Sequence, residues 1–443
     1  MVIKFAVDEL KFLFRGNTVS FFKLCLTFVL LSVAFVSHAE LTIEITKGTE
    51  GAMPVAIVPF AQNAPVDMRA IINADLERSG YFTMMTESSM PAKPSTASEV
   101  NFPTWQGLGQ QYMVIGRVAN NGGQYNVEFQ LFDVVKGEQV LGYQMAANDS
   151  NLRKTAHTIS DMIFEKLTGK KGVFAGRIAY ITSSKAGSQW TYQLQVADTD
   201  GATPQTITTS SQPLMSPAWS TDGHKIAYVS FENRKAAIFI QDVGSGSRTK
   251  VAEFQGINGA PAWSPDGSRL ALTLSKDGNP DIYVLNIGTR ALTRLTNNLG
   301  IDTEPTWSPD GNHIVFTSGR GGKPQLYMVS SQGGNEERIS FSGDYNAKAS
   351  FSPDGKYLVM VHGNGSNYRI GVMDMATRSI NAITSGPHDE SPSFAPNGTM
   401  VLYASRQSGS GFLSAVSIDG KMQQKLVFNS GEVREPAWAP VAP

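Results

Sequence analysis

The 443-residue chain holds a single cysteine, Cys25, and it lies in an apolar N-terminal stretch. With that stretch removed, no residue remains to form a disulfide, a thiol nucleophile or a cysteine metal site. Charge is sparse too. Asp, Glu, Lys and Arg make up 17% of the chain, the formal net charge is −1, and Lys and Arg form no run. Bulk attraction to nucleic acid or to an acidic membrane surface is therefore excluded. Long hydrophobic runs are also lacking. The stretch Leu24 to Val36 spans 13 residues, with Lys23 before it and Ser37-His38-Ala39 after it. That is short for a bilayer span and right for the core of a secretory signal, cut before Glu40. A signal peptide over 1–39 is expected, with Met1 to Thr18 as an unusually long lead-in. Cys25 follows Lys23-Leu24 and precedes more of the signal core, which excludes a lipoprotein attachment site. An exported chain without disulfides must rest on a large core, and this one is long enough to build one.

What the chain does have is turns, with 42 glycines and 22 prolines, and a repeat. Trp219-Ser220-Thr221-Asp222-Gly223 returns as Trp263-Ser264-Pro265-Asp266-Gly267 and Trp307-Ser308-Pro309-Asp310-Gly311. It returns again as Phe351-Ser352-Pro353-Asp354-Gly355 and Phe394-Ala395-Pro396-Asn397-Gly398, and ends as Trp438-Ala439-Pro440. The aromatics are spaced 44, 44, 44, 43 and 44 residues apart. A period of that length with strand-like content is the mark of a β-propeller. Pro presets φ within the turn and Gly takes the left-handed conformation at its end. The aromatic before the turn is expected to wedge between blades, where a large flat side chain buries most area.

Each unit reads as four strands, for example Pro261 to Ser264, Arg269 to Leu274, Asp281 to Leu285 and Thr293 to Thr296. Trp438 has no strand after it, and Gly176 to Ile181 has no aromatic turn before it. Joined, these two orphans make a sixth blade and hide the open edge. The expected fold is thus α+β and multidomain, a small N-terminal α/β domain over 40–170 followed by a six-bladed β-propeller over 171–443. In the front domain, Leu41 to Ile45 and Pro54 to Phe60 read as strands. Met68, Ile72 and Leu76 fall at helical spacing, as do Leu152, Ala156, Ile159, Ile163 and Leu167 ahead of Gly169. Tyr112 to Gly116, Gln124 to Phe132 and Glu138 to Met145 suit further strands. Ser88 to Asn101 reads as a loop and Lys170-Lys171-Gly172 as a hinge.

Chemistry is hard to find. His157, His224, His313, His362 and His388 show no i, i+4 ligand pair, and no nucleophile elbow or phosphate loop exists. His224 and His313 follow turns and are expected to face solvent; His157 lies off the apolar stripe of its helix and is expected on the surface or in a capping role. The Asp-Gly motifs lack the acidic ladder of a calcium loop and read as turns. No catalytic residue, metal site or cofactor is expected. The loops entering each inner strand should gather at one mouth of the central channel, where partners dock. They are Leu214-Met215-Ser216, Ile257-Asn258-Gly259-Ala260, Asp302-Thr303-Glu304, Tyr345-Asn346-Ala347, His388-Asp389-Glu390-Ser391 and Val433-Arg434-Glu435. Carboxylates at Asp302, Glu304, Asp389, Glu390 and Glu435 are expected to crowd one rim, giving a negative mouth for a basic or cation-assisted partner segment. The alternating segment Glu40-Leu41-Thr42-Ile43-Glu44-Ile45 suits either addition to a partner's sheet or a plain edge strand of its own domain.

From Glu40 to the end, the chain resembles the TolB family, periplasmic proteins of the Tol–Pal system in Gram-negative bacteria. Val55-Ala56-Ile57-Val58-Pro59-Phe60, Phe164-Glu165-Lys166-Leu167-Thr168-Gly169, Asn258-Gly259-Ala260-Pro261, Thr303-Glu304-Pro305-Thr306-Trp307 and Ala395-Pro396-Asn397-Gly398-Thr399-Met400 carry the likeness. The aromatic-Ser-Pro-Asp-Gly blades alone are shared with several peptidase propellers; their order behind this front domain is specific. The resemblance implies a monomeric periplasmic adaptor without catalysis that reaches membranes only through partners and supports outer-membrane integrity and invagination during cell division. It implies that the lipoprotein Pal docks at the mouth, with Ile257 to Ala260 and Thr303-Glu304 at positions that serve the family. It also implies that the inner-membrane protein TolA captures residues 40–51, that Pal occupancy and release of this segment are coupled, and that bacteriocins exploit the mouth. His is common in the family where Ile257 stands here. The alternative class, an exported propeller hydrolase or a peptidase-associated module, would need a triad on a separate domain.

Overall fold

The structure is a computed structural model that describes residues 42–47, 51–62, 64–407, 410–427 and 432–441. The expected signal peptide, Glu40 and Leu41 lie outside the described residues. Strand β1, Thr42–Lys47, comes first and is followed by β2, Met53–Ile57, and the short β3, Ala61–Gln62. Helix α1, Met68–Arg78, starts where the Asp67 carboxylate accepts the Ala70 N–H at 3.0 Å. After β4, Phe82–Met84, comes α2, Phe102–Gly107, and then β5, Tyr112–Asn121, β6, Gln124–Asp133, and β7, Glu138–Asn148. Helix α3, Leu152–Thr168, ends at Gly169 with φ 71°, the left-handed cap glycine tolerates best. The stretch expected as one loop carries two short 3-10 turns and runs into α2, which its sequence did not announce.

The sheet order is β4-β2-β5-β6-β7, parallel across β4, β2 and β5 and antiparallel from β5 to β7, with β3 also pairing β5. Val55, Ile57, Val114, Val127, Phe129 and Leu131 point to one face, where α1 and α3 bury Met68, Ile72, Leu76, Ile159 and Ile163. Trp105 of α2 covers the other face with Ala56, Met113, Ile115 and Phe132.

Six four-stranded sheets follow. Blade 1 runs Leu214–Trp219, Lys225–Ser230, Ala237–Asp242, Arg248–Ala252. Blade 2 runs Asn258–Trp263, Arg269–Leu274, Asp281–Asn286, Leu292–Arg294. Blade 3 is Asp302–Trp307, His313–Ser318, Gln325–Ser330, Glu337–Arg338, and blade 4 is Tyr345–Phe351, Tyr357–Asn364, Asn367–Asp374, Ile380–Ala382. Blade 5 is Asp389–Phe394, Met400–Gln407, Ser410–Ser417 and Gln423–Val427. Blade 6 closes the ring. Its inner strand is the last of the chain, Glu432–Trp438, which pairs antiparallel with Arg177–Ala186, ahead of Gln189–Asp198 and Gln205–Ser210.

The turn aromatics sit where the repeat placed them, between blades. The indole N–H groups of Trp219, Trp263 and Trp307 donate to the carbonyls of Ala437, Ala218 and Ala262, each on the preceding inner strand. Thus the indole joins neighbouring sheets by a hydrogen bond as well as by buried area. Arg177 lies over Trp219 at 5.0 Å and donates to the Gly223 carbonyl at 2.7 Å, which fastens blade 6 to blade 1.

Strand β1 does not belong to the front sheet. It pairs antiparallel with Gln423–Val427, Thr42 opposite Val427 and Ile45 opposite Gln424, as a fifth, outermost strand of blade 5. The sequence left open addition to a partner's sheet or an edge strand of the front domain; the structure puts it on the edge of a propeller blade instead of the front sheet.

Candidate functional site

In all six blades the inner strand bulges at one position, and the residue there has a left-handed backbone although none is glycine. These are Ser216, Ala260, Glu304, Lys348, Ser391 and Glu435, with φ between 46° and 55°. The ladder slips at each, for example between Thr303 and Thr306 and between Arg434 and Ala437. Non-glycine residues held at positive φ store strain and cluster where backbone is being aimed. All six line the central channel, a cavity of about 580 Å³. A sequence signal for them existed, unused: proline follows in five of the six, as Pro217, Pro261, Pro305, Pro392 and Pro436.

The channel carries few charges, and these are partnered. The Glu435 carboxylate accepts the Ser216 N–H at 2.5 Å, and Lys348 Nζ lies 3.7 Å from it while donating to Ser391 Oγ at 2.7 Å. Glu304 accepts the Thr317 hydroxyl at 3.0 Å.

The expected acidic rim needs correction. Asp302 is fully buried and takes two hydrogen bonds from Arg320, at 2.8 and 3.0 Å. Asp389 is buried and accepts the hydroxyls of Thr384 and Ser405, both at 2.6 Å. Glu435 is buried as well, so that of the five carboxylates only Glu390 is exposed and Glu304 half-exposed. Asn258 and Asn346 stand at the blade position of Asp302 and Asp389. Asn258 exchanges hydrogen bonds with the Phe254 backbone, at 2.7 and 2.8 Å; Asn346 donates to Gln325 and to the Ser342 carbonyl. A buried Asn or Asp at this point staples the incoming loop, because a buried carboxylate or amide must find partners. Ala260 is half-buried at the channel, and Gly259 and Thr303 are half-buried along the groove beside the mouth.

What the mouth displays is apolar. Ile257 is 49% exposed, Leu299 fully exposed and Phe341 66% exposed, with Phe254, Ile301 and Met215 exposed beside them. All stand on the loops entering, or at the start of, the inner strands of blades 1 to 4, so they form a crescent on one side of the mouth. An open groove beside it runs from Met215 and Phe231 past Phe254 and Ile257 to Thr303 and Glu304. Of the residues the sequence put at the mouth, Met215 and Ile257 belong to this crescent. Leu299 and Phe341 were missed because a loop residue gives no periodicity to read.

The turn aspartates are structural. Asp222, Asp266, Asp310 and Asp354 each accept a hydroxyl from the serine two residues before and an N–H from two residues after. Those bonds, the serine's first, hold the Asp266 and Asp310 carboxyls down to about 2. His224 is exposed as expected, and His313 half-buried. His157, expected on the surface, is buried at 1% exposure with Nδ1 2.7 Å from Asp75 Oδ2. A histidine oriented by an aspartate is half of a triad, but here Nε2 faces a second acid, Asp200, at 3.8 Å, where a triad would place its nucleophile.

A TolB amino-terminal domain matches residues 41–140 and a TolB beta propeller domain matches residues 164–442. The chain belongs to the TolB family. The Tol-Pal system protein TolB of Methylococcus capsulatus is 61% identical over 417 residues, covering 94% of this chain and 98% of that one. Its counterpart in Thioalkalivibrio sulfidiphilus is 59% identical over 94% of this chain and 97% of its own. The crystal structure of TolB from Acinetobacter baumannii superposes with a TM-score of 0.85 at 42% identity, over 91% of this chain and all of that one. Family membership gives the chain a role in the Tol–Pal system of the cell envelope. No helix among the described residues is long and apolar enough to cross a membrane.

Proposed function

We propose that this chain is a periplasmic adaptor, a binding protein and not an enzyme, that docks Pal at the propeller mouth and offers its N-terminal segment to TolA. The observation that carries the docking half is the apolar crescent of Phe254, Ile257, Leu299, Ile301 and Phe341 beside an open groove. Exposed apolar side chains grouped on one rim mark an interaction surface, and a few such anchors supply most of the binding energy. Thr303, Glu304 and Glu390 then form the polar border of the contact, while Asn258, Asp389 and Glu435 act from beneath by holding loops and Gly259 and Ala260 let the backbone approach.

The second half rests on β1. A strand paired through its main chain on the outer edge of Gln423–Val427 can be exchanged for pairing with a partner's sheet. Residues 40–51, with Glu40, Leu41, Thr42, Ile43, Glu44 and Ile45 at their head, serve TolA when released. Pal occupancy sets how readily that release occurs, and through these two contacts the protein supports outer-membrane integrity during division.

Leu299→Asp with Phe341→Asp tests the docking half in a pull-down against purified Pal. Loss of at least tenfold in affinity is expected, since each anchor truncated at a hot spot costs about 1–2 kcal/mol or more. Undiminished Pal binding by the double variant would refute the mouth as the docking surface.

A further inference from the structure

The buried His157 belongs to a cluster of ionisable groups between the front domain and the propeller. From α1 come Asp75 and Arg78; from α3 come Arg153, His157 and Asp161; from the turn after Gln189–Asp198 in blade 6 come Asp198 and Asp200. His157 Nδ1 is bonded to Asp75, and its Nε2, without a hydrogen bond, lies 3.8 Å from Asp200 Oδ2. Arg78 Nη2 sits 2.7 Å from Asp75 Oδ1, and its Nη1 lies 3.8 Å from Asp200. Arg153 bonds Asp198 at 3.0 Å and also bonds Asp200. One turn along α3, Asp161 accepts the N–H groups of Phe174, at 2.6 Å, and Ala175, at 3.1 Å, in the peptide that leads into the propeller. Blade 5 joins through neutral groups: Gln424 donates to the Arg78 carbonyl, and its nearby Asp419 is taken up by Ser417 in its own turn.

Four carboxylates, Asp75, Asp161, Asp198 and Asp200, thus face the guanidinium groups of Arg78 and Arg153, with Arg177 acting on Asp198 from the first strand of the propeller region. With a neutral imidazole the cluster still holds an excess of negative charge, and buried unbalanced charge is costly. His157, Asp198 and Asp200 place three donor atoms within 4.8 Å of one another. The two arginines already fill the cationic role there, which argues against a metal ion. A proton fits better. We infer that the cluster is an acid-tightened clasp: a proton taken up at His157 Nε2 makes one imidazolium bridge Asp75 of the front domain and Asp200 of the propeller, fixing the two parts against each other. Imidazole is the side chain suited to this in the physiological range.

Asp161 acts in the same direction. Burial, helped by Asp75 and opposed by the two backbone N–H bonds, pushes its carboxyl up to about 6. A carboxyl raised in the folded state adds stability that is fully present below its unfolded value and is lost as pH rises through about 6. Mild acid therefore relieves excess negative charge at both ends of the α3 contact. The inference stands whether or not β1 is a partner-binding segment.

Spin labels on cysteines placed at the exposed Gln144 of β7 and Glu337 of blade 3, in a chain carrying Cys25→Ser, read the spread of inter-domain distances. Between pH 7.5 and 5.5 the distribution should narrow and the melting temperature rise by about 2–4 °C, and both changes should vanish in His157→Gln. Circular dichroism checks that this variant folds. Asp200→Asn, which leaves the His157–Asp75 bond intact, should lose the narrowing too and decides the matter alone if His157→Gln does not fold. A distribution unaffected by pH in the parent, or one that narrows equally in the variants, overturns the clasp.

Discussion

Asp310 shows how one side chain serves a whole blade. Its carboxylate takes the Ser308 hydroxyl and the Asn312 N–H and so closes the turn that aims Trp307 at the neighbouring sheet. Asp266 does the same one blade earlier. Both carboxyls are held down to about 2, so their contribution is present above the ordinary aspartate value and is lost as pH falls through about 2. The Asp266→Asn, Asp310→Asn chain should therefore lose less stability than the parent between about pH 4 and 2, measured by urea unfolding at each pH. Residue identity was enough to read these turns. It was not enough for Asp302 and Asp389, because a carboxylate becomes a buried staple only when Arg320, or Thr384 and Ser405, arrive from elsewhere in the blade.

At the scale of elements, the wedge and the edge strand matter most. Trp307 is buried and bonded to the preceding blade, so Trp307→Ala should cost about 3–5 kcal/mol in a denaturant titration. Gly80, at φ 73°, touches blade 5, and a β-carbon there would stand 2.1 Å from the Met422 sulfur. Gly80→Ala should lower the melting temperature through that contact without changing the blades, and unchanged melting would count against it. Deletion of 40–51 removes β1 alone, leaving Gln423–Val427 paired on its inner side to Ser410–Ser417. TolA capture should disappear and Pal capture persist, which a parallel pull-down reads. The alternation in Thr42 to Ile45 announced a strand but not its partner, since period-2 patterning is silent about which edge is free. Helix α2 escaped notice because six residues give too little periodicity.

For the whole molecule, closure is the decisive property. The last strand, Glu432–Trp438, sits against Arg177–Ala186, more than 240 residues away in sequence (432 − 186 = 246), and covers the edge that blade 6 would otherwise expose. A chain ending at Val427 should lose single-step unfolding and elute as soluble aggregates in gel filtration, because an open ring leaves unpaired strand edges at both ends. The sequence by itself determined the ring: turn, aromatic and strand recur every 43 or 44 residues, local chemistry repeated often enough to count blades and to pair the two orphan segments. Tertiary structure alone decided which acids turn inward, that Leu299 and Phe341 crown the mouth, where β1 rests and that His157 is sealed between domains. The reason is physical. Turns and periodicity are fixed by neighbours in the chain, whereas burial and charge are fixed by neighbours in space.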